Sequence, residues 1–116
     1  MTTGKQLFST LADGKLTVEI VEKNYSDPKG NQVLVQMEAA PINPSDLALL
    51  TGAADLENAE YSDGIFVASM PEPFFSAQQG RHGLRLPVGN EGAGTVIAAG
   101  ESEAAQALVG QLGCTG

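Results

Sequence analysis

Two short segments hold most of the side chains in this chain that could do chemistry. Asn43-Pro44-Ser45-Asp46 sets an amide, a hydroxyl and a carboxylate within four residues. Gly89-Asn90-Glu91-Gly92-Ala93-Gly94 sets a second amide and carboxylate among glycines. Amides and hydroxyls suit the polarisation of a bound group by hydrogen bonds. They suit metal binding poorly, because zinc prefers thiolate and imidazole. The single histidine, His82, cannot supply the three protein ligands that a catalytic zinc needs. Cys114, the only cysteine, excludes an internal disulfide. It reads as an inert buried thiol, since no base adjoins it in the sequence. Arg81, His82 and Arg85 form the only basic cluster after Lys29, and neutralising nearby carboxylates is their expected task.

The glycine-rich segment is not a phosphate loop. A dinucleotide fingerprint needs a glycine turn that leaves a strand and opens a helix. Here the glycines precede the apolar run Gly94–Ala99, which reads as a buried strand closed by Gly100. Such glycines allow backbone to pass close to a neighbour or a ligand.

The elements that must position these segments are short. Residues 16–22 alternate apolar and polar, the period of a half-buried strand. Gln32–Ala39 has strand character too, with Val33, Val35 and Met37 on one side. Asp27-Pro28-Lys29-Gly30-Asn31 between them is turn chemistry, so the two strands are expected to pair. Asn43 is a good helix N-cap and Pro44 suits a first turn. Leu47, Leu49 and Leu50 give an apolar stripe and Gly52 a stop, predicting about two turns of helix. A further helical turn is expected over Ala104–Val109, capped by Ser102. Residues 53–85 show no period and are expected to be a long insertion loop acting as a lid or flap. Short strands, 14 glycines and brief helices predict a mainly β, barrel-like domain spanning residues 1–116.

Composition narrows the function. The chain has 14 acidic and 6 basic residues, a formal net charge of −8. Lys29 and Arg81 bracket a stretch without a basic residue that contains Glu38, Asp46, Asp55, Glu57, Glu60, Asp63 and Glu72. Such a surface repels polyanions, so nucleic acid is not an expected partner. No apolar run approaches the roughly 20 residues of a membrane span, and no secretory signal is visible. With one cysteine, a reducing, cytoplasmic setting is expected.

Ala40-Pro41-Ile42-Asn43-Pro44-Ser45-Asp46-Leu47 and Leu86-Pro87-Val88-Gly89-Asn90-Glu91-Gly92-Ala93-Gly94, in that order, resemble the N-terminal half of the medium-chain dehydrogenase/reductase family. The likeness is to its zinc-free quinone reductase and 2-enoyl thioester reductase branch, and it runs from about Leu16 to Gly110. Zinc-dependent members carry a cysteine ligand where this chain has Asn43, and a histidine ligand where it has Asn90. The resemblance therefore implies an enzyme without zinc. It implies a GroES-like, partly open β-barrel as the catalytic or substrate domain. An NADPH-binding Rossmann domain would follow beyond Gly116, usually with dimerisation through that second domain.

The resemblance implies roles as well. Hydride would pass from NADPH to a quinone or an α,β-unsaturated carbonyl. Asn43 would position the nicotinamide or polarise the acceptor, Ser45 would donate to substrate or a ribose hydroxyl, and Asn90 would face the cofactor. Asp46, Glu91, Gly92 and Gly94 would support the cleft. Enoyl thioester reductases carry a tyrosine soon after the short helix, where this chain has Gly52-Ala53-Ala54-Asp55; Tyr61 is the candidate to fold back in its place. The rival expectation is a stand-alone GroES-like module that engages a protein partner through the 53–85 loop. Phe66, Met70, Phe74 and Phe75 would be its anchors.

Overall fold

The computed structural model describes residues 2–115. Eight strands and three short helices occur in the order β1 (Thr2–Ala12), β2 (Lys15–Tyr25), β3 (Val33–Ala39), α1 (Pro44–Leu50), β4 (Glu60–Ser62), β5 (Ile65–Ser69), α2 (Phe74–Ala77), β6 (Arg85–Pro87), β7 (Gly92–Ala99), α3 (Glu103–Gln106) and β8 (Leu112–Thr115). A single 3-10 turn, Gln79–Arg81, follows α2. Two compact units result. One takes residues 5–22 and 42–89; the other takes the residues through Gly4, Lys23–Pro41 and those from Asn90 onward.

The first unit is built on a five-stranded sheet ordered β4-β5-β2-β1-β6. Its β1–β2 and β4–β5 connections are two-residue Asp-Gly turns. Asp13 and Gly14 have φ of 54° and 72°, and Asp63 and Gly64 have 49° and 78°. Two successive positive φ values match the right-handed twist of the flanking strands, which is why Asp-Gly favours tight hairpins. β5 lies antiparallel on β2, with Leu16 opposite Ala68 and Val18 opposite Phe66. β6 pairs with β1 at the sheet's edge, where Pro87, lacking an N–H, is tolerated. Leu11, Leu16, Val18 and Met70 form the core, and Leu7, Leu50, Phe66 and Phe75 pack against it.

The second unit carries a three-stranded sheet ordered β3-β7-β8. β3 and β7 pair closely, and the reason lies in the glycines. A Cβ at Gly94 would run into the main chain of Gln36 and Met37, and one at Gly92 into the Met37 side chain. A Cβ at Gly100 would strike the Lys29–Gly30 peptide. That turn is held from the same side. The Glu101 carboxylate accepts the Gly30 N–H at 2.8 Å, and Gly100 donates its N–H to the Gln32 carbonyl at 2.8 Å. Ser102 caps α3, its hydroxyl accepting the Ala105 N–H at 3.1 Å.

The expectation of a mainly β chain with brief helices holds, but neither sheet closes into a barrel. Three expectations need correction. Residues 16–22 and 32–39 do not pair: β2 joins β1 and β5, whereas β3 joins β7. The two-residue turn at Asp13-Gly14 gives β2 a nearer partner than the longer connection through Asp27–Asn31. The 53–85 stretch is not a loop or flap. It supplies β4, β5, α2 and β6, and Met70 within it is only 3% exposed. Phe66 and Phe75 likewise pack on the core, so of the four proposed anchors only Phe74 is open to solvent. The stripe on α1 is narrower than expected, because Leu47 is exposed while Leu49 and Leu50 are half-buried.

Candidate functional site

The start of α1 is an ordered arrangement of polar groups. Asn43 takes the extended backbone of an N-cap, with φ −88° and ψ 157°, and Pro44 occupies the first helical turn. Three residues on, Asp46 turns back. Its carboxylate accepts the Asn43 N–H at 2.9 Å, and its own N–H donates to the Asn43 carbonyl at 2.9 Å. Asp46 is 3% exposed, a burial that is tolerable only because its carboxylate is hydrogen-bonded. Between these two fixed residues Ser45 faces solvent and Asn43 remains half-buried. The turn thus presents a hydroxyl and an amide on a rigid base, a pair suited to donating hydrogen bonds to a bound oxygen.

The other end of α1 is equally defined. The Thr51 and Gly52 N–H groups both donate to the Leu47 carbonyl, at 2.9 and 2.8 Å, and Gly52 supplies the positive φ of 52° that stops the helix. The Leu49 carbonyl accepts a hydrogen bond from the hydroxyl of Ser9 at 2.6 Å. Ser9 lies in β1 and is fully buried.

The remaining residues singled out from the sequence lie elsewhere. Tyr61 is in the edge strand β4 opposite Phe66 and is 72% exposed. It is part of a hairpin rather than of a flap folded back, and its side chain makes no hydrogen bond among the described residues. Asn90, Glu91, Gly92 and Gly94 belong to the second unit. Asn90 and Glu91 are exposed just ahead of β7, while Gly92 and Gly94 are buried within it. Gly89–Gly94 leads into a strand, so it lacks the strand–turn–helix geometry of a dinucleotide phosphate cradle.

The basic cluster does not act as a group. Arg85 forms an ion pair with Glu19 at 3.0 Å and lies over the Phe8 ring, 4.8 Å from its centre. His82 stacks on Phe75 with ring centres 4.0 Å apart, and its Nε2 approaches the Phe75 carbonyl at 2.7 Å. A carbonyl can only accept, so Nε2 carries the proton. Arg81 donates to the Ser9 hydroxyl at 2.9 Å and, at 3.4 Å, to Gln78 Oε1. Cys114, expected to be buried, is exposed in β8. Together with Val33, Val35, Val96, Leu108 and Leu112 it borders an apolar hollow of about 210 Å³. Among the described residues no three His, Cys, Asp or Glu side chains are grouped to hold a metal ion, and no helix is long and apolar enough to cross a membrane.

Ser9 is the residue that reasoning from sequence does not find. A serine in a strand reads as solvent-facing, and its burial depends on partners 40 and 72 positions away. No known protein-family model matches the chain.

Proposed function

We propose that this chain is the substrate-side domain of a zinc-independent oxidoreductase, and that the first turn of α1 carries its polarising groups. The observation that supports this is the Asn43–Asp46 turn. The buried Asp46 carboxylate fixes the backbone, which leaves Ser45 exposed and Asn43 half-buried beside it. The acceptor class is a quinone or an α,β-unsaturated carbonyl. Both are electron-poor, so the two side chains need only stabilise negative charge that develops on an oxygen. Ser45 donates its O–H to that oxygen, and the Asn43 amide orients the acceptor. Tyr61, in an edge strand, has no role in this reading.

The described residues do not fit the phosphates of a dinucleotide, since the glycine segment opens onto β7 instead of a helix. NADPH therefore belongs, in this reading, to a Rossmann domain outside these 116 residues. GroES-like architecture, a cytoplasmic setting and dimerisation through the second domain complete the proposal. Its support is the resemblance of the Asn43 and Asn90 segments to zinc-free reductases.

The test uses the full natural reading frame, purified and assayed for NADPH oxidation with 1,4-benzoquinone and with an enone. N43A and S45A are each expected to lower kcat/KM by about 100-fold, the usual loss when one donor to a developing oxyanion is removed. Circular dichroism spectra should be unchanged. Equal turnover by wild type and both variants would dismiss the site, and no turnover of either acceptor by the wild type would dismiss the activity.

A further inference from the structure

We propose that Ser9 and Arg81 are positioning residues that hold α1, and with it Asn43 and Ser45, in working orientation. The inference rests on the reading of α1 as the carrier of the polarising groups.

A helix of seven residues is too short to persist on its own, so its place depends on tertiary holds. Leu50 against the core is one. Ser9 is the other. The last carbonyls of a helix have no partner within it, and the Ser9 hydroxyl donates to one of them, that of Leu49. At 2.6 Å this is a short O–H···O bond, so the hydroxyl proton is committed to α1. The oxygen's lone pairs face the other way and accept from Arg81 Nη2 at 2.9 Å. One hydroxyl therefore joins β1, α1 and the turn after α2.

Arg81 is an expensive choice for a merely space-filling position. It makes no ion pair among the described residues, and its Nε is buried without a hydrogen-bond partner. Burial lowers its pKa from the ordinary value, yet a guanidinium stays charged in proteins. A neutral apolar side chain would avoid both penalties. What the cation adds is direction: by donating to Ser9 it holds the hydroxyl oxygen so that the proton points at Leu49. It also places positive charge behind the C-terminal end of the helix, where partial negative charge gathers. With that end free, the short helix can rock as one body and carry the Ser45 hydroxyl out of line with a bound acceptor.

The experiment again uses the full natural chain, with S9A, R81M, R81K and the S9A/R81M double variant. Hydrogen exchange of the amides of residues 47–52 is compared with that of residues 16–18 in β2, and kcat and KM are measured with NADPH and 1,4-benzoquinone. S9A and R81M should each speed exchange at 47–52 by about tenfold, the size of one lost hydrogen bond, and leave 16–18 unchanged. The double variant should exchange no faster than S9A, because both residues act through one hydroxyl. R81K, which keeps a donor, should fall between wild type and R81M. kcat should fall about tenfold with KM within about twofold. Unchanged exchange at 47–52 in S9A and R81M overturns the tether. Faster exchange with wild-type kcat overturns the positioning role. A wild type without turnover removes the functional reading and the positioning role with it, and the exchange data still decide the tether. Should R81M not fold, S9A and R81K carry the same comparison.

Discussion

Gly94 in β7 and Gly80 in the 3-10 turn both lack a positive φ, and they contrast in what surrounds them. Gly94 has a φ any residue accepts, but a Cβ there would meet the backbone of Gln36 and Met37, which cannot swing away as a side-chain tip can. Gly94→Ala must push β3 and β7 apart, and overpacking of this kind costs about 1–3 kcal/mol. At Gly80 an added methyl group would meet nothing within 4 Å, and φ is not positive. Gly80→Ala should be neutral or stabilising by up to about 1 kcal/mol through the unfolded chain. Urea denaturation of both variants checks the pair, and equal midpoints would refute the close-approach argument. Residues differ in how far they can be read from sequence. Asn43, Pro44 and Asp46 are legible because a helix start is specified by neighbours three positions apart. Ser9, Arg81 and the exposure of Cys114 are not, because each is decided by contacts that sequence spacing does not encode.

At the scale of elements the same divide follows turn chemistry. α1, β3, β7 and the Ser102 cap are legible, each being long enough for a period or marked by a cap. β4, β5 and β6, of three to five residues, are too short to show a period, so 53–85 reads as featureless. The signal the sequence does carry there is Asp-Gly at 63–64, the same pair as at 13–14, and each is a two-residue hairpin turn in the fold. Asp63-Gly64 does more than join β4 to β5. The Gly64 carbonyl also accepts the Ile20 N–H of β2 at 3.0 Å, tying the hairpin to the sheet. With φ of 78°, Gly64 sits where an L-residue loses about 1–2 kcal/mol. Gly64→Ala should lower stability by that amount at an unchanged m-value, whereas Asp63→Asn, suited to left-handed backbone, should be nearly neutral. A Gly64→Ala variant as stable as wild type would mean the turn does not hold the hairpin.

For the molecule as a whole, the formal net charge of −8 makes acid a two-sided perturbation. Protonating most carboxylates relieves self-repulsion. Glu101 works in the opposite sense. Its carboxylate accepts the N–H of Gly30, 71 residues earlier, and so fastens the Lys29–Gly30 turn onto the end of β7. That hydrogen bond, followed by one from the Glu101 main chain, holds its pKa below the usual carboxylate value. A folded-state pKa depressed in this way means stability that is fully present above the unfolded value, about 4.3, and lost as pH falls through the lowered one. Glu101→Gln lacks the titration, so the comparison cancels every other carboxylate. The wild type should melt above the variant at pH 7, and the gap should close steadily below about pH 4. Thermal melts of both proteins across that range, followed by circular dichroism, provide the check. A gap that stays constant would show that the Gly30 contact does not distinguish the charged carboxylate from a neutral amide.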